Sequence, residues 1–99
     1  MPTRTRYLVA YDIRDERRLR RVAQCVEGFG SRVQYSVFVC DLSEVELIRL
    51  RLELRDVMDH RMDSVMFVNL GPPGERGTHC FEFLGAAPGL PQSGGPTIL

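Results

Sequence analysis

No lysine occurs among the 99 residues; all 13 basic side chains are arginines. Arginine's planar fork can bind phosphate oxygens in pairs, although the same bias also follows from genomic base composition. The three cysteines, Cys25, Cys40 and Cys80, are odd in number and lie far apart with no CxxC spacing. That excludes a cysteine zinc site and a disulfide framework and leaves buried free thiols as the expectation. Also missing are a glycine-rich phosphate loop, a nucleophile elbow and a helix with paired histidines. His60 and His79 lack partners at ligand spacing and are expected at the surface. No apolar run approaches the roughly 18 residues of a membrane span. Met1 to Arg6 contains no apolar signal region, so a cytoplasmic protein is expected. No internal repeat is visible.

Net charge is also absent, and its zero hides an asymmetry. Residues 4–32 hold eight arginines against four acids, a surplus of +4. Residues 41–63 hold four arginines against seven acids, or −3. A basic and an acidic face therefore share one small domain, and the first suits phosphates.

What is present reads as alternating strands and helices. Arg6 to Asp12 is a nearly continuous apolar run, expected as a central strand. Asp15 is placed to cap the next helix, with Glu16 in its first turn. Leu19, Val22, Ala23 and Val26 repeat at helical spacing and define its buried face. Gly28-Phe29-Gly30 should end it with a glycine in the left-handed conformation. Ser31 to Leu42 is rich in β-branched and aromatic residues but too long for one strand. It either bends or doubles back near Tyr35-Ser36, and two short strands are the preferred reading.

Ser43-Glu44-Val45-Glu46 fits a capping box. The helix it opens should run to about Asp59, with a broad apolar stripe from Val45, Leu47, Ile48, Leu50, Leu52, Leu54, Val57 and Met58. Arg49 and Glu53 are spaced as an i,i+4 pair on it. Ser64 to Leu70 reads as a further strand, Gly71-Pro72-Pro73-Gly74 as a break, and His79 to Leu84 as a short extra strand. The fold class is α+β: a ferredoxin-like βαββαβ arrangement, two helices on one face of an antiparallel sheet, with an extra C-terminal strand. The domain is expected over residues 1–85, followed by a flexible Gly/Pro-rich tail, 86–99. The second sheet face needs cover, and a second copy of so small a domain supplies it.

Tyr11-Asp12-Ile13 before an arginine-rich helix, then Gly30 to Phe38 (Gly-Ser-Arg-Val-Gln-Tyr-Ser-Val-Phe), resembles the CRISPR-associated adaptation family Cas2. Leu42-Ser43-Glu44 opening a helix and Asp63-Ser64-Val65 opening a strand fit as well. The resemblance spans about residues 6–84, and Arg32 to Phe38 is its most specific run. It implies a ferredoxin-like homodimer in which the final strand crosses to the partner's sheet. It further implies a role beside the CRISPR integrase in capturing foreign DNA as new spacers. Metal-dependent nuclease activity on RNA or double-stranded DNA is a second implied property. Asp12 matches the family's proposed catalytic and metal-binding aspartate, and Phe38 its bulky aromatic. The tail has no family pattern that aligns.

Taken by itself, Asp12 is either a capping carboxylate at a strand end or half of a twofold site. Two such carboxylates repel unless a cation joins them, and Mg2+ suits oxygen ligands of this kind. One carboxylate per chain with no obvious general base predicts weak or absent cleavage. Arg14, Arg17, Arg18, Arg21 and Arg32 are the candidate nucleic-acid contacts, touching phosphates without reading bases. The other reading of these arginines is a solvated helix face. Tyr7, Tyr11 and Tyr35 are expected as packing residues, and Ser36 as structural. Three function classes stand: a DNA-spanning dimer in CRISPR integration, a Mg2+-dependent nuclease or toxin-like ribonuclease of the same fold, and a ferredoxin-like small-molecule regulatory domain.

Overall fold

The structure, a computed structural model, describes residues 3–91. Seven elements follow one another: β1 (Thr5–Asp12), α1 (Glu16–Glu27), β2 (Ser31–Gln34), β3 (Val37–Leu42), α2 (Glu44–Val57), β4 (Ser64–Gly71) and a single helical turn, α3 (Arg76–His79). The strands form one antiparallel sheet in the order β2-β3-β1-β4. β1 is central, as its apolar run required. The long stretch from Ser31 doubles back at Tyr35-Ser36, and β2 and β3 pair as a hairpin bulged at Val33.

Register divides the sheet into two unlike faces. Val9 lies beside Phe38 and Phe67, and Tyr7 beside Cys40. On this face Val9, Phe38, Cys40 and Leu42 join Val22 and Val26 of α1 and Leu47, Leu50 and Leu54 of α2 in one core. Burying a side chain such as Phe38 or Leu50 contributes about 1.5–3 kcal/mol. The alternate residues face the other way: Leu8 beside Val39 and Val68, Ala10 beside Val37 and Met66, Asp12 beside Ser64. Neither α1 nor α2 covers this second face; α3 reaches one end of it, where Gly77 packs on Arg6, and Met66 remains 54% exposed.

The local signals at the helix starts hold in detail. The Asp15 carboxylate accepts from the Arg18 amide at 3.0 Å. Ser43 and Glu46 close a reciprocal capping box, Oγ taking the Glu46 amide and the Glu46 carboxylate the Ser43 amide. The end of α1 differs from expectation. Gly28 caps it at φ −70°, an ordinary right-handed value, and positive φ is confined to Gly71 and Gly85 among the described residues. Glycine is required at position 30 for contact instead: a Cβ there would overlap the Val39 carbonyl oxygen and the Cys40 sulfur. α2 ends at Val57, and its apolar stripe splits. Leu47, Leu50 and Leu54 enter the core, whereas Val45, Ile48 and Leu52 stay exposed. Glu53 takes the Cys25 thiol at 3.5 Å, so the spaced Arg49–Glu53 pair is not what holds it.

The C-terminal segment also departs from the sequence reading. Instead of a fifth strand beginning at His79, the chain forms α3, and the amides of Glu75 and Gly77 return to the Pro72 carbonyl. Within this chain residues 80–84 join no ladder: the four-stranded sheet ends at β4, and a strand exists only beside a paired neighbour. The Phe81 and Phe83 rings nevertheless lie parallel, 5.9 Å apart, as side chains two residues apart do on an extended chain. Of the expected tail, 86–91 is described and 92–99 lies outside the described residues. Two further expectations are corrected. Cys80 is exposed, Cys25 partly so, and only Cys40 is buried; Tyr35, at the hairpin turn, is an exposed residue rather than a packed one.

Candidate nucleic-acid interface

β1 runs from the buried middle of the sheet to its edge at Asp12, whose side chain is 72% exposed. It projects on the uncovered face beside Ser64. Its nearest charged neighbour is Arg14, with Nη2 3.8 Å from Oδ2. A cation such as Mg2+ wants several oxygen ligands. Among the described residues no group of three or more His, Cys, Asp or Glu side chains is placed to supply them. The residues of one chain therefore do not fit a resident metal, and Arg14 already supplies positive charge there.

The arginines divide into two sets. Arg14, Arg17 and Arg21 are exposed, and Arg17 and Arg21, four residues apart, share one face of α1. Arg20 is exposed as well, and the sequence reading did not single it out. Arg18 is different. Its Nε and Nη2 reach the two oxygens of Asp63 at 2.7 and 3.2 Å.

Asp63 is the residue the sequence reading missed. Its side chain has no exposed surface. Besides Arg18 it accepts the amides of Arg14 and Asp59, each at 2.9 Å. One carboxylate thus ties the chain after β1, the start of α1, the α2–β4 connection and the start of β4. Bonding to the Arg18 guanidinium, aided by the two amides, holds its carboxyl well below the usual carboxylate range despite burial. In the sequence Asp63 looked only like the residue before a strand, and two of its three partners, Arg18 and Arg14, lie 45 and 49 positions away.

Arg32 stands on β2, its guanidinium 5.1 Å from the centre of the Phe38 ring and 3.8 Å from the Glu27 carboxylate. Phe38 stacks on Tyr11 at 6.1 Å. Burial raises the Tyr11 hydroxyl's pKa, and a hydrogen bond from Arg32 opposes that rise. Two arginines counted toward the basic half belong elsewhere: Arg4 pairs with Glu46 at 2.8 Å, and Arg6 is fully buried against Asp41.

A family model described as CRISPR associated protein Cas2 matches residues 5–76. The chain belongs to the Cas2 family. It is 39% identical over 66 residues to the CRISPR-associated endoribonuclease Cas2 of Geobacter sulfurreducens, covering 67% of this chain and 70% of that one. It is 38% identical over 69 residues to the CRISPR-associated endonuclease Cas2 of Halalkalibacterium halodurans, covering 65% and 72%. The crystal structure of Streptococcus pyogenes Cas2 matches with a TM-score of 0.72 and 34% identity over 81% of this chain and 99% of that one. A hypothetical protein from Thermus thermophilus matches at 0.74 and 34%, covering 86% and 95%. The ferredoxin-like α+β fold expected from the sequence is the fold of this Cas2 chain. Among its described residues, no helix is long and apolar enough to cross a membrane.

Proposed function

We propose that this Cas2 protein serves CRISPR adaptation as a homodimer that spans double-stranded DNA by its backbone, in company with the integrase. The observation carrying this reading is the row of exposed arginines, Arg14, Arg17 and Arg21, where β1 gives way to α1. Asp63 keeps that row in register through the Arg14 amide and Arg18. Arg32, resting on Phe38, extends the basic surface to β2. A second copy would cover the apolar sheet face of Leu8, Ala10, Met66 and Val68, and its crossing segment 80–84 would find in β4 the edge missing within one chain. Such a dimer doubles the phosphate-binding surface and reads no bases.

Each neutralised phosphate steepens the fall of log K with log salt by about 0.9 on duplex DNA. Replacing Arg14, Arg17 and Arg21 by Glu should therefore flatten the slope measured by fluorescence anisotropy and abolish spacer acquisition with the cognate integrase. An unchanged slope refutes the assignment.

The names of the relatives, endoribonuclease and endonuclease, favour a second reading as a metal-dependent nuclease. It requires two copies of Asp12, since among the described residues of one chain no three His, Cys, Asp or Glu side chains gather to hold a metal. The pair would offer Mg2+ an oxygen set, and the cation would supply an activated water when bound. Asp12→Asn separates the readings: the backbone-spanning role survives it, and nuclease action on RNA or DNA does not. A small-molecule role has less support. The open cleft of about 410 Å³ beside α1 and α2 is lined by Asp41, Glu46 and Glu53 against Arg49, a charge balance unsuited to anionic metabolites.

A further inference from the structure

The turn between β2 and β3 carries an aromatic residue where turns ordinarily favour glycine, asparagine or aspartate. Tyr35 is 73% exposed there, and among the described residues no hydrogen bond or ring contact holds its side chain. The turn itself is fixed. The Ser36 carbonyl accepts the Tyr11 amide at 3.1 Å, which sets Tyr35 at the Asp12 end of the sheet. Arg32, on the strand leading into the turn, is 43% exposed and spreads its guanidinium over Phe38. The Tyr11 hydroxyl accepts from Arg32 and lies near enough to Tyr35 to feel a charge on it. A third group comes from α1. Arg32 reaches Glu27 at 3.8 Å, so Glu27 marks the line of α1 that is turned toward β2. Arg20 stands on that same line, about two turns back toward Asp12, exposed and in no ion pair among the described residues.

We infer that Tyr35 is a stacking platform for an unpaired base, with Arg20 and Arg32 holding the phosphates beside it. An exposed ring on a fixed backbone, bordered by arginines, is the combination with which proteins hold single-stranded nucleic acid. Cations follow the sugar–phosphate chain, and aromatic faces receive the bases. Inside a duplex each base face is already covered by its neighbours. A ring at the tip of a turn therefore finds a partner only where bases are unpaired. Arg32 is preset for its part, because the Phe38 ring and the Tyr11 hydroxyl hold the guanidinium while part of the side chain stays open to solvent. Every base offers such a face, so the site selects unpaired over paired strands and not one sequence over another. Single-stranded RNA and single-stranded DNA share this chemistry. The site presupposes the nucleic-acid reading above, though not a duplex ligand.

The chain contains no tryptophan, so Tyr35→Trp puts a lone indole at the site, whose emission a stacked base quenches. The full chain is titrated with oligouridylate, oligothymidylate, a blunt DNA duplex and the same duplex carrying single-stranded ends. Emission should fall with the single strands and the tailed duplex, and stay level with the blunt duplex although anisotropy shows it bound. Quenching by the RNA strand alone, or by the DNA strand alone, supports the platform and names its source. Tyr35→Ala should weaken single-strand binding by about fivefold or more and leave blunt-duplex affinity unchanged. Tyr35→Phe should keep the parental affinity, because the ring face and not the hydroxyl makes the contact. Arg20→Ala should flatten the single-strand salt slope by about 0.7. Single strands that bind without quenching overturn the platform. So does a Tyr35→Ala variant that loses duplex and single strand equally, because that marks damage to the arginine surface. Quenching by single strands beside a blunt duplex that fails to bind refutes the duplex-spanning role and supports the platform.

Discussion

Replacing Asp63 by Ala removes the acceptor that joins four parts of the chain. The buried carboxylate takes two backbone amides, those of Arg14 and Asp59, at 2.9 Å each. A hydrogen bond to a charged partner is worth roughly 1.5–3 kcal/mol net, so two give about 3–6 kcal/mol. Both bonds are only partly buried, and water can reach the freed donors, which favours the lower end, about 3 kcal/mol. For a domain of this size each kcal/mol lowers Tm by about 4–8 °C, and the expected drop is about 12–24 °C. Circular dichroism melts at one fixed protein concentration measure it. The same melts carry a pH signature. Arg18 and the two amides depress the Asp63 pKa in the folded state. Its contribution is then complete above the unfolded value of about 3.9 and disappears as pH falls below it toward the folded value. The Tm gap between parent and Asp63→Ala should be constant above pH 5 and narrow steadily toward pH 2. A drop under about 4 °C, or a gap indifferent to pH, refutes the reasoning.

Three further outcomes are expected. Gly30→Ala drives a methyl into the Val39 carbonyl and the Cys40 sulfur; overpacking of this kind costs about 1–3 kcal/mol, read as a lower urea midpoint with unchanged slope. Burial pushes the Cys25 and Cys40 thiols up to about 12, whereas Cys80 is exposed. A thiol-reactive chromophore at pH 8 should therefore titrate one cysteine rapidly in the native protein and the other two only in denaturant. Bonding to Arg4, with help from the Ser43 amide, lowers the Glu46 carboxyl to about 2. Its stabilisation is present above about pH 4.3 and lost as pH approaches 2, so Glu46→Gln should lower Tm at pH 6 and leave it unaltered near pH 2.

Features written in neighbouring residues were legible before the structure. The Asp15 cap, the Ser43–Glu46 box, the apolar face of α1 and the reversal at Tyr35-Ser36 each depend on residues within a few positions of one another. Asp63 and Arg6 were not legible, because both act on groups 35 to 85 positions distant. Arg6 was counted with the basic surface on charge alone. Its place opening an apolar strand, two residues from no other charge but Arg4, was the available hint of a buried partner. Residues 79–84 were legible as strand material by composition, but pairing is decided by a neighbour that composition does not name. The exposed half of α2, Val45, Ile48 and Leu52, was absorbed into one stripe because periodicity alone cannot say how wide a face the sheet will cover.

The position of β4 has a consequence for the single chain. It forms one rim of the sheet, and its eight residues, Ser64 to Gly71, include neither a charge nor a proline. Nature usually blunts such a rim with lysine, proline or a short length, since bare N–H and C=O groups recruit any extended chain. The run from Val65 to Leu70 also has the uncharged, β-prone composition of segments that stack into fibrils. Left uncovered, this rim is the part of the chain expected to recruit another extended segment. A single lysine at Met66 or Val68, on the uncovered face, should raise the chain's solubility while weakening self-association.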